Sequence, residues 1–256
     1  MKTFSFSLFF ISFLFLLFSC NIKDSGKKDS QSGNEAVIVP DTGYTGIKQY
    51  MSGKYLVSEV TFKNGVMEGL KKTFYQSGKL RQTSWYENGL REDSSKWFYQ
   101  EGQLFRSTPY KRDTIDGIQI QYYRNGRLKA KLNYKRGLRT PYLEEYTKTG
   151  ELVSEYPELI VTTKDNYQTN GNYRISLSLS DKSTKVKYYR GDFSDGVFDT
   201  TRYTIIKTIN GTGTLDLKKT GTPKTDYVGV IAVILTNYGN NNLVYKKVAL
   251  PYSDLK

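Results

Sequence analysis

A 24-residue period through the middle of this chain restricts its fold more than any other feature does. At that step Gly78 is followed by Gly102, Gly126 and Gly150, and Leu80 by Leu104, Leu128 and Leu152. Phe62 leads to Tyr86, Tyr110 and Tyr134, Phe74 to Phe98, Tyr122 and Tyr146, and Gly65 to Gly89, Asp113 and Gly137. Five series in one register over four copies are an internal repeat, not coincidence. A degenerate earlier copy, Tyr50-Met51-Ser52-Gly53-Lys54, stands one residue out of step with Tyr75-Gln76-Ser77-Gly78-Lys79.

Each period holds two glycine turns, 13 and 11 residues apart, as Gly65, Gly78 and Gly89 show. Asn64-Gly65, Asn88-Gly89 and Asn125-Gly126 read as hairpin turns, because both residue types tolerate positive φ. The segments between them are strand-length and rich in Tyr, Phe, Trp and Thr. Each repeat is therefore expected to be one β-hairpin and the array a long antiparallel meander. Period-two alternation assigns faces. Leu128, Ala130, Leu132 and Tyr134 share one face, opposite Lys129, Lys131 and Asn133. Ile118, Ile120 and Tyr122 are likewise expected on an apolar face, opposite Gln119, Gln121 and Tyr123. Such a face needs a cover: a sharp twist, the C-terminal region or a partner.

From Pro157 the repeat stops. Strands are expected near Glu158–Thr162, Tyr173–Leu179, Val186–Arg190, Arg202–Ile206, Gly213–Leu217, Tyr227–Thr236 and Leu243–Pro251. Asn170-Gly171, Asn210-Gly211 and Gly239-Asn240 mark turns. Seven strands in about 100 residues suit a β-sandwich of immunoglobulin-like type. The run Val228–Leu235 is apolar throughout, as expected of a central strand buried on both faces or at a domain contact. The fold class is thus all-β: a hairpin repeat array over 44–156, then a sandwich over 157–256.

Composition removes many kinds of chemistry. The chain has no His and one Cys, which excludes His-based triads, His metal ligands, an internal disulfide and a thiolate zinc site. We expect no catalytic residue, no cofactor and no metal: the reading is not an enzyme. The net charge of +13 is diffuse, with 20 basic and 13 acidic residues over 41–156 and 14 and 9 over 157–256. No basic stripe of the nucleic-acid-binding kind appears, so no specific nucleic-acid partner is expected.

The repeat unit resembles the variant of the MORN (membrane occupation and recognition nexus) repeat: Tyr-x-Asn-Gly, then acid-Gly, then Phe-Tyr-x-x-Gly-x-Leu. Here these are Tyr86-Glu87-Asn88-Gly89, Glu68-Gly69 and Asp116-Gly117, and Phe98-Tyr99-Gln100-Glu101-Gly102-Gln103-Leu104. Asp93 and Pro141 replace the acid-Gly glycine in the other copies. The resemblance covers about residues 44–156 and implies binding or scaffolding rather than catalysis. Many bacterial proteins with this variant are labelled antitoxins, which implies an alternative immunity or antitoxin function against a toxin partner.

The N-terminus carries a second resemblance. Lys2 precedes an apolar run from Phe4 to Phe18, too short to span a bilayer as a helix. The run ends in Leu17-Phe18-Ser19-Cys20, which resembles the lipobox of bacterial lipoprotein precursors. The family implies a signal peptide over 1–19, a diacylglyceryl group on the Cys20 thiol and an acylated new amino terminus, typically by palmitate. An uncleaved signal anchor is the competing reading. Residues 20–43 are expected to be a tether, since the stretch Lys23–Asn34 is polar and aperiodic. Asn21 after the cysteine leans the localisation to the outer membrane of a bacterial cell envelope, held there by the acyl anchor at Cys20.

Candidate sites are few. Glu144-Glu145 is the only adjacent pair of glutamates, and alternation sends the two to opposite faces. Asp192, Asp195 and Asp199 lie near glycines but lack calcium-loop spacing, so a plain loop is expected there. The candidate binding surface is a ladder, Tyr75, Tyr99 and Tyr123, with Arg81, Lys129 and Lys131 nearby. It is expected to point away from the leucine-bearing face, where it can stack on sugar rings or seat an envelope protein. Cross-strand aromatic packing is the competing reading. Thr147 breaks the ladder in the last copy.

Overall fold

A computed structural model describes residues 43–222 and 226–256; the signal segment, Cys20 and almost all of the tether lie outside the described residues. The repeats form one antiparallel sheet of ten strands: β1 (Gly46–Ser52), β2 (Tyr55–Lys63), β3 (Val66–Phe74), β4 (Leu80–Glu87), β5 (Leu90–Phe98), β6 (Leu104–Lys111), β7 (Thr114–Ile115), β8 (Gly117–Tyr122), β9 (Leu128–Lys135) and β10 (Leu138–Glu145). Apart from short β7, which pairs β6 beside β8, they lie side by side in sequence order, as a meander must. The degenerate first copy is the β1–β2 hairpin, turning at Gly53.

Two turn types alternate, and backbone φ explains their composition. Asn64-Gly65, Asn88-Gly89, Arg112-Asp113 and Arg136-Gly137 each take positive φ at both residues, from 49° to 81°. That is the primed two-residue turn, whose twist matches the flanking strands. The other series uses a four-residue loop. The Tyr75 amide donates to the Lys79 carbonyl and the Gly78 amide to the Tyr75 carbonyl, both at 2.8 Å. The same pair of bonds recurs at Tyr99, Tyr123 and Thr147. Asn125-Gly126 belongs to this second series, contrary to the two-residue turn expected from sequence: Gly126 has φ 79°, while Asn125 is not in the left-handed region. Pairing alone could not tell the two loops apart, since both end in Gly. The acid-Gly element falls at register shifts, where Gly69 and Gly117 have φ 95° and 110° and Asp93 takes 55°.

The buried face differs from the expected one. Ala130 and Leu132 are buried, as alternation requires. Across the ladder, however, Gln119 pairs with Leu132 and Gln121 with Ala130, whereas Ile118 pairs with Asn133 and Ile120 with Lys131. Directly opposed residues share a face. Gln119 is therefore inside, 6 % exposed, and Ile118 outside, 46 % exposed, the reverse of the expectation. The middle of the buried face is polar throughout: Ser84, Ser95, Thr108 and Gln119. The hydroxyls of Ser84 and Ser95 lie 2.7 Å apart, and the Gln119 amide donates to the Thr108 hydroxyl at 3.1 Å. These small side chains meet one another's hydrogen-bonding needs, so this part of the sheet does not need the apolar cover that was expected. On the same face, Thr73 Oγ1 and Arg106 Nε are buried without a hydrogen-bond partner among the described residues. Apolar burial is confined to the ends, at Val60 and Phe62 and at Ala130 and Leu132.

The remaining strands are β11 (Leu159–Asn166), β12 (Asn172–Leu179), β13 (Val186–Arg190), β14 (Thr204–Ile206), β15 (Thr208–Ile209), β16 (Thr212–Lys218), β17 (Tyr227–Leu235) and β18 (Asn241–Ala249). They form two four-stranded sheets, β11-β12-β16-β15 and β14-β13-β17-β18. Setting short β15 aside, the first, second and fifth of the seven main strands share one sheet, and the third, fourth, sixth and seventh the other. This is a sandwich of immunoglobulin-like type in which the fourth strand pairs with the third instead of joining the first sheet as in constant-type domains. The core between them includes Ile175, Leu177, Tyr188, Leu217, Val230 and Ala232. All seven expected strands are present. β15 and the single helical turn Tyr167–Asn170 were not anticipated.

β17 is buried on both faces. Val230 and Ala232 enter the core, while Ile231, also 0 % exposed, faces the other way. Its register partners are Tyr189 and Tyr245. These join Phe193, Phe198 and Tyr203 in an aromatic cluster with centroids 5.4–6.3 Å apart. The cluster is carried by the 191–203 loop. That loop reaches the repeats, where the Phe198 amide donates to the Arg139 carbonyl of β10 at 2.7 Å. Its carboxylates are all engaged, and Arg202 bridges Asp195 and Asp199. Asp192 accepts from the Tyr245 and Tyr227 hydroxyls, Asp195 pairs with Arg202, and Asp199 caps the turn at Thr201.

Candidate functional site

The tyrosine ladder is real and regular. Tyr75, Tyr99 and Tyr123 each occupy the first position of a four-residue loop. Each hydroxyl donates to a carbonyl of the next repeat: Tyr75 to Phe98 at 2.6 Å, Tyr99 to Tyr122 at 3.0 Å and Tyr123 to Tyr146 at 2.7 Å. The ladder thus ties consecutive hairpins together at one edge of the sheet. Arg124 sits over the Tyr99 ring at 4.7 Å and Lys129 beside the Tyr123 ring at 5.9 Å. In the first two copies the hydroxyl ties neighbouring repeats together, and the Tyr99 ring packs against Phe105.

The structure divides the remaining candidates. Arg81 lies exposed on β4, at the far side of the array from Lys129. Lys131 is engaged on the outer face, where its ammonium is 2.9 Å from Glu144 Oε2. The Tyr142 and Tyr146 hydroxyls also donate to Glu144, at 2.6 and 2.7 Å. These three donors hold the Glu144 carboxyl down at about 2. Glu144 is therefore a fixed anion at neutral pH, with no proton to donate as an acid.

Tyr123 and Lys129 do meet, in an open cleft of about 450 Å³ at the end of the array. Its other walls are Thr147, Lys148 and Thr149 of the last repeat loop and Asn237 and Tyr238 of the β17–β18 loop. The cleft opens where the ladder breaks: Thr147 stands where a fourth tyrosine would, and it lines the cleft beside Tyr123. The Thr147 loop is held by its predecessor, since Arg127 donates to the Thr149 carbonyl and Asn125 to the Lys148 carbonyl. Burial first, then Tyr238, Glu145 and Tyr99, push the Tyr123 hydroxyl up, which keeps it a neutral donor.

Glu145 sets the opposite wall. It is 0 % exposed and lies on the inner face. Its Oε1 accepts from the Thr236 hydroxyl at 2.8 Å and the Asn240 amide at 2.7 Å, and its Oε2 accepts from the Tyr156 hydroxyl at 3.3 Å. Asn240 also accepts from Gln121 at 3.0 Å. Thr236 and Asn240 bracket the loop bearing Asn237 and Tyr238. A buried carboxylate of the repeats thus orients a loop of the sandwich. Arg139 crosses the same junction and donates to the Asn241 carbonyl at 3.2 Å. Burial lowers its guanidinium pKa, opposed by Tyr134 and Glu145.

Sequence reasoning missed Lys148, Thr149, Asn237 and Tyr238. The break at Thr147 was the signal, though by itself it could not bring the residue-237 loop alongside. Among the described residues no group of His, Cys, Asp and Glu is placed to hold a metal ion, and no helix is long and apolar enough to cross a membrane. No protein-family model matches the chain, and a search of curated proteins finds no match.

Proposed function

We propose that this chain is a lipid-anchored binding or scaffolding protein of the bacterial cell envelope that works without catalysis. The observation that carries the reading is the cleft at the array–sandwich junction. It is lined by two tyrosines, two lysines and hydroxyl and amide groups, and none of its lining residues is a carboxylate. Such a lining grips a ligand by stacking and charge. The lipobox resemblance at Leu17-Phe18-Ser19-Cys20 supports the anchor and the outer-membrane placement. The repeat resemblance supports a binding role over 44–156.

The test is affinity capture of the full-length tagged chain from envelope membranes after mild cross-linking, beside its Cys20→Ala variant. We expect a reproducible envelope protein or glycan with the wild type. We expect the variant to lose lipid labelling and membrane fractionation. Turnover of an envelope substrate with no retained partner would overturn the binding reading, and unchanged lipid labelling of the variant would overturn the anchor. Capture of a toxin whose effect is relieved by co-expression would favour the immunity function instead.

A further inference from the structure

The chemistry of the cleft narrows its ligand. Lys129 and Lys148 have no carboxylate partner among the described residues, and the Lys129 ammonium lies 5.9 Å from the Tyr123 ring centroid. Two ammonium groups in a lining without acids favour an anion. The Tyr238 hydroxyl and the Asn237 side-chain amide have no hydrogen-bond partner among the described residues. They are available to a ligand rich in hydroxyls. The Tyr123 ring, by contrast, is fixed by its hydroxyl bond to the Tyr146 carbonyl, and Lys129 lies beside it. A rigid phenol wall next to a cation accepts the apolar face of a ring while the ring's acid meets the ammonium. The volume falls within the range of about 300–1,000 Å³ typical of small-ligand sites. The cleft is open to solvent, so a unit within a polymer can enter without threading its end.

We propose that this cleft binds an acidic saccharide, a sugar unit bearing a carboxylate or phosphate. The sugar ring lies against Tyr123 and Tyr238, and its acid group is met by Lys129 and Lys148. The proposal rests on the binding function above and names its ligand class. Glu145 is a positioning residue: through Thr236 and Asn240 it holds Tyr238 opposite Tyr123.

The experiment is calorimetric titration of the full chain, solubilised in mild detergent, at physiological ionic strength. The probes are an oligogalacturonate, a phosphorylated mannan fragment, a neutral malto-oligosaccharide and polyglutamate. We expect saturable binding to at least one of the two acidic sugars, about tenfold weaker binding to the neutral sugar and to polyglutamate, and about tenfold loss in Lys129→Ala and in Tyr238→Ala. Tyr238→Phe, which keeps the ring, should retain most of the affinity, and melting curves verify that each variant is folded. Absence of binding to both acidic sugars overturns the proposal. So does equal binding to polyglutamate, which marks a plain charge effect, or unchanged affinity in folded Tyr238→Ala. Chromatography of the incubated sugars separates the two readings. Cleaved sugar would overturn non-catalytic function while leaving the ligand class standing. Failure of every sugar would leave the membrane capture to decide the broader function.

Discussion

Glu144 and Glu145 are consecutive residues of β10 that point to opposite sides of the sheet and do opposite things. Glu144 gathers Lys131, Tyr142 and Tyr146 on the outer face. Glu145 is fully buried and fastens the repeats to Thr236 and Asn240 of the sandwich. Glu145→Ala strands three donors, from Thr236, Asn240 and Tyr156, in a buried site. We expect a loss of about 3 kcal/mol by urea denaturation. Glu145→Gln keeps one acceptor oxygen and should lose about half as much. Equal stability of the alanine variant and the parent would show that the junction is not a structural joint.

Acid sensitivity should trace to Glu144. Its folded-state pKa is depressed from 4.5 to about 2 by hydrogen bonds from Tyr142, Tyr146 and Lys131. A depressed carboxylate contributes stability that is complete above its unfolded pKa and disappears as pH falls through its folded one. The loss should therefore fall between about pH 4.5 and 2. Carboxyl-detected NMR should give a Glu144 midpoint near the lower value. In the Tyr142→Phe, Tyr146→Phe double variant the midpoint should move up towards the ordinary one. A parent midpoint near 4.5 would contradict the three-donor geometry.

Much of this architecture was legible in the sequence because it is periodic. The glycine series marks the turns, and turns with strand-length spacing leave little alternative to a meander. The face assignment was legible for β9 and failed for β8. Alternation within a strand fixes which residues share a side, but only pairing says which side is in, and Ile118 with Ile120 gave a misleading hydrophobic cue. In the site, Tyr123 and Lys129 were visible as part of the repeat. Tyr238 was not, because what places it is Glu145 reaching 93 residues ahead in sequence to Tyr238's loop, a relation that carries no local pattern.

The polar middle of the buried face predicts non-additive mutations. Ser95 is 1 % exposed and its hydroxyl has Ser84 as partner at 2.7 Å. Ser84→Ala removes that partner and leaves a buried hydroxyl unmet, which costs about 1–2 kcal/mol. Adding Ser95→Ala removes the stranded group. The double variant should then be no less stable than Ser84→Ala alone, and a double-mutant cycle in urea gives the coupling directly. Simple additivity of the two losses would mean that the hydroxyls do not depend on each other.

The brace between sandwich and repeats depends on a position with no side chain. A Cβ at Gly229 would press on the Gly191 carbonyl and lie 2.5 Å from Asp192 Oδ1. Those are the groups that seat the 191–203 loop: the Gly191 amide donates to the Gly229 carbonyl at 3.0 Å, and Asp192 takes the Tyr245 hydroxyl at 2.7 Å. The acceptor is backbone and the carboxylate is already committed, so neither moves without breaking a bond. Gly229→Ala should destabilise by about 1–3 kcal/mol through overpacking. The effect should be directional. Displacing the loop loosens Phe193 and Phe198, uncovers Ile231 and weakens the Phe198–Arg139 link to β10. Limited proteolysis should then cut first within 191–203, before any site in the repeats. A folded variant with parent-like cleavage would show that the loop is held by its aromatic rings alone and does not need the Gly191–Gly229 contact.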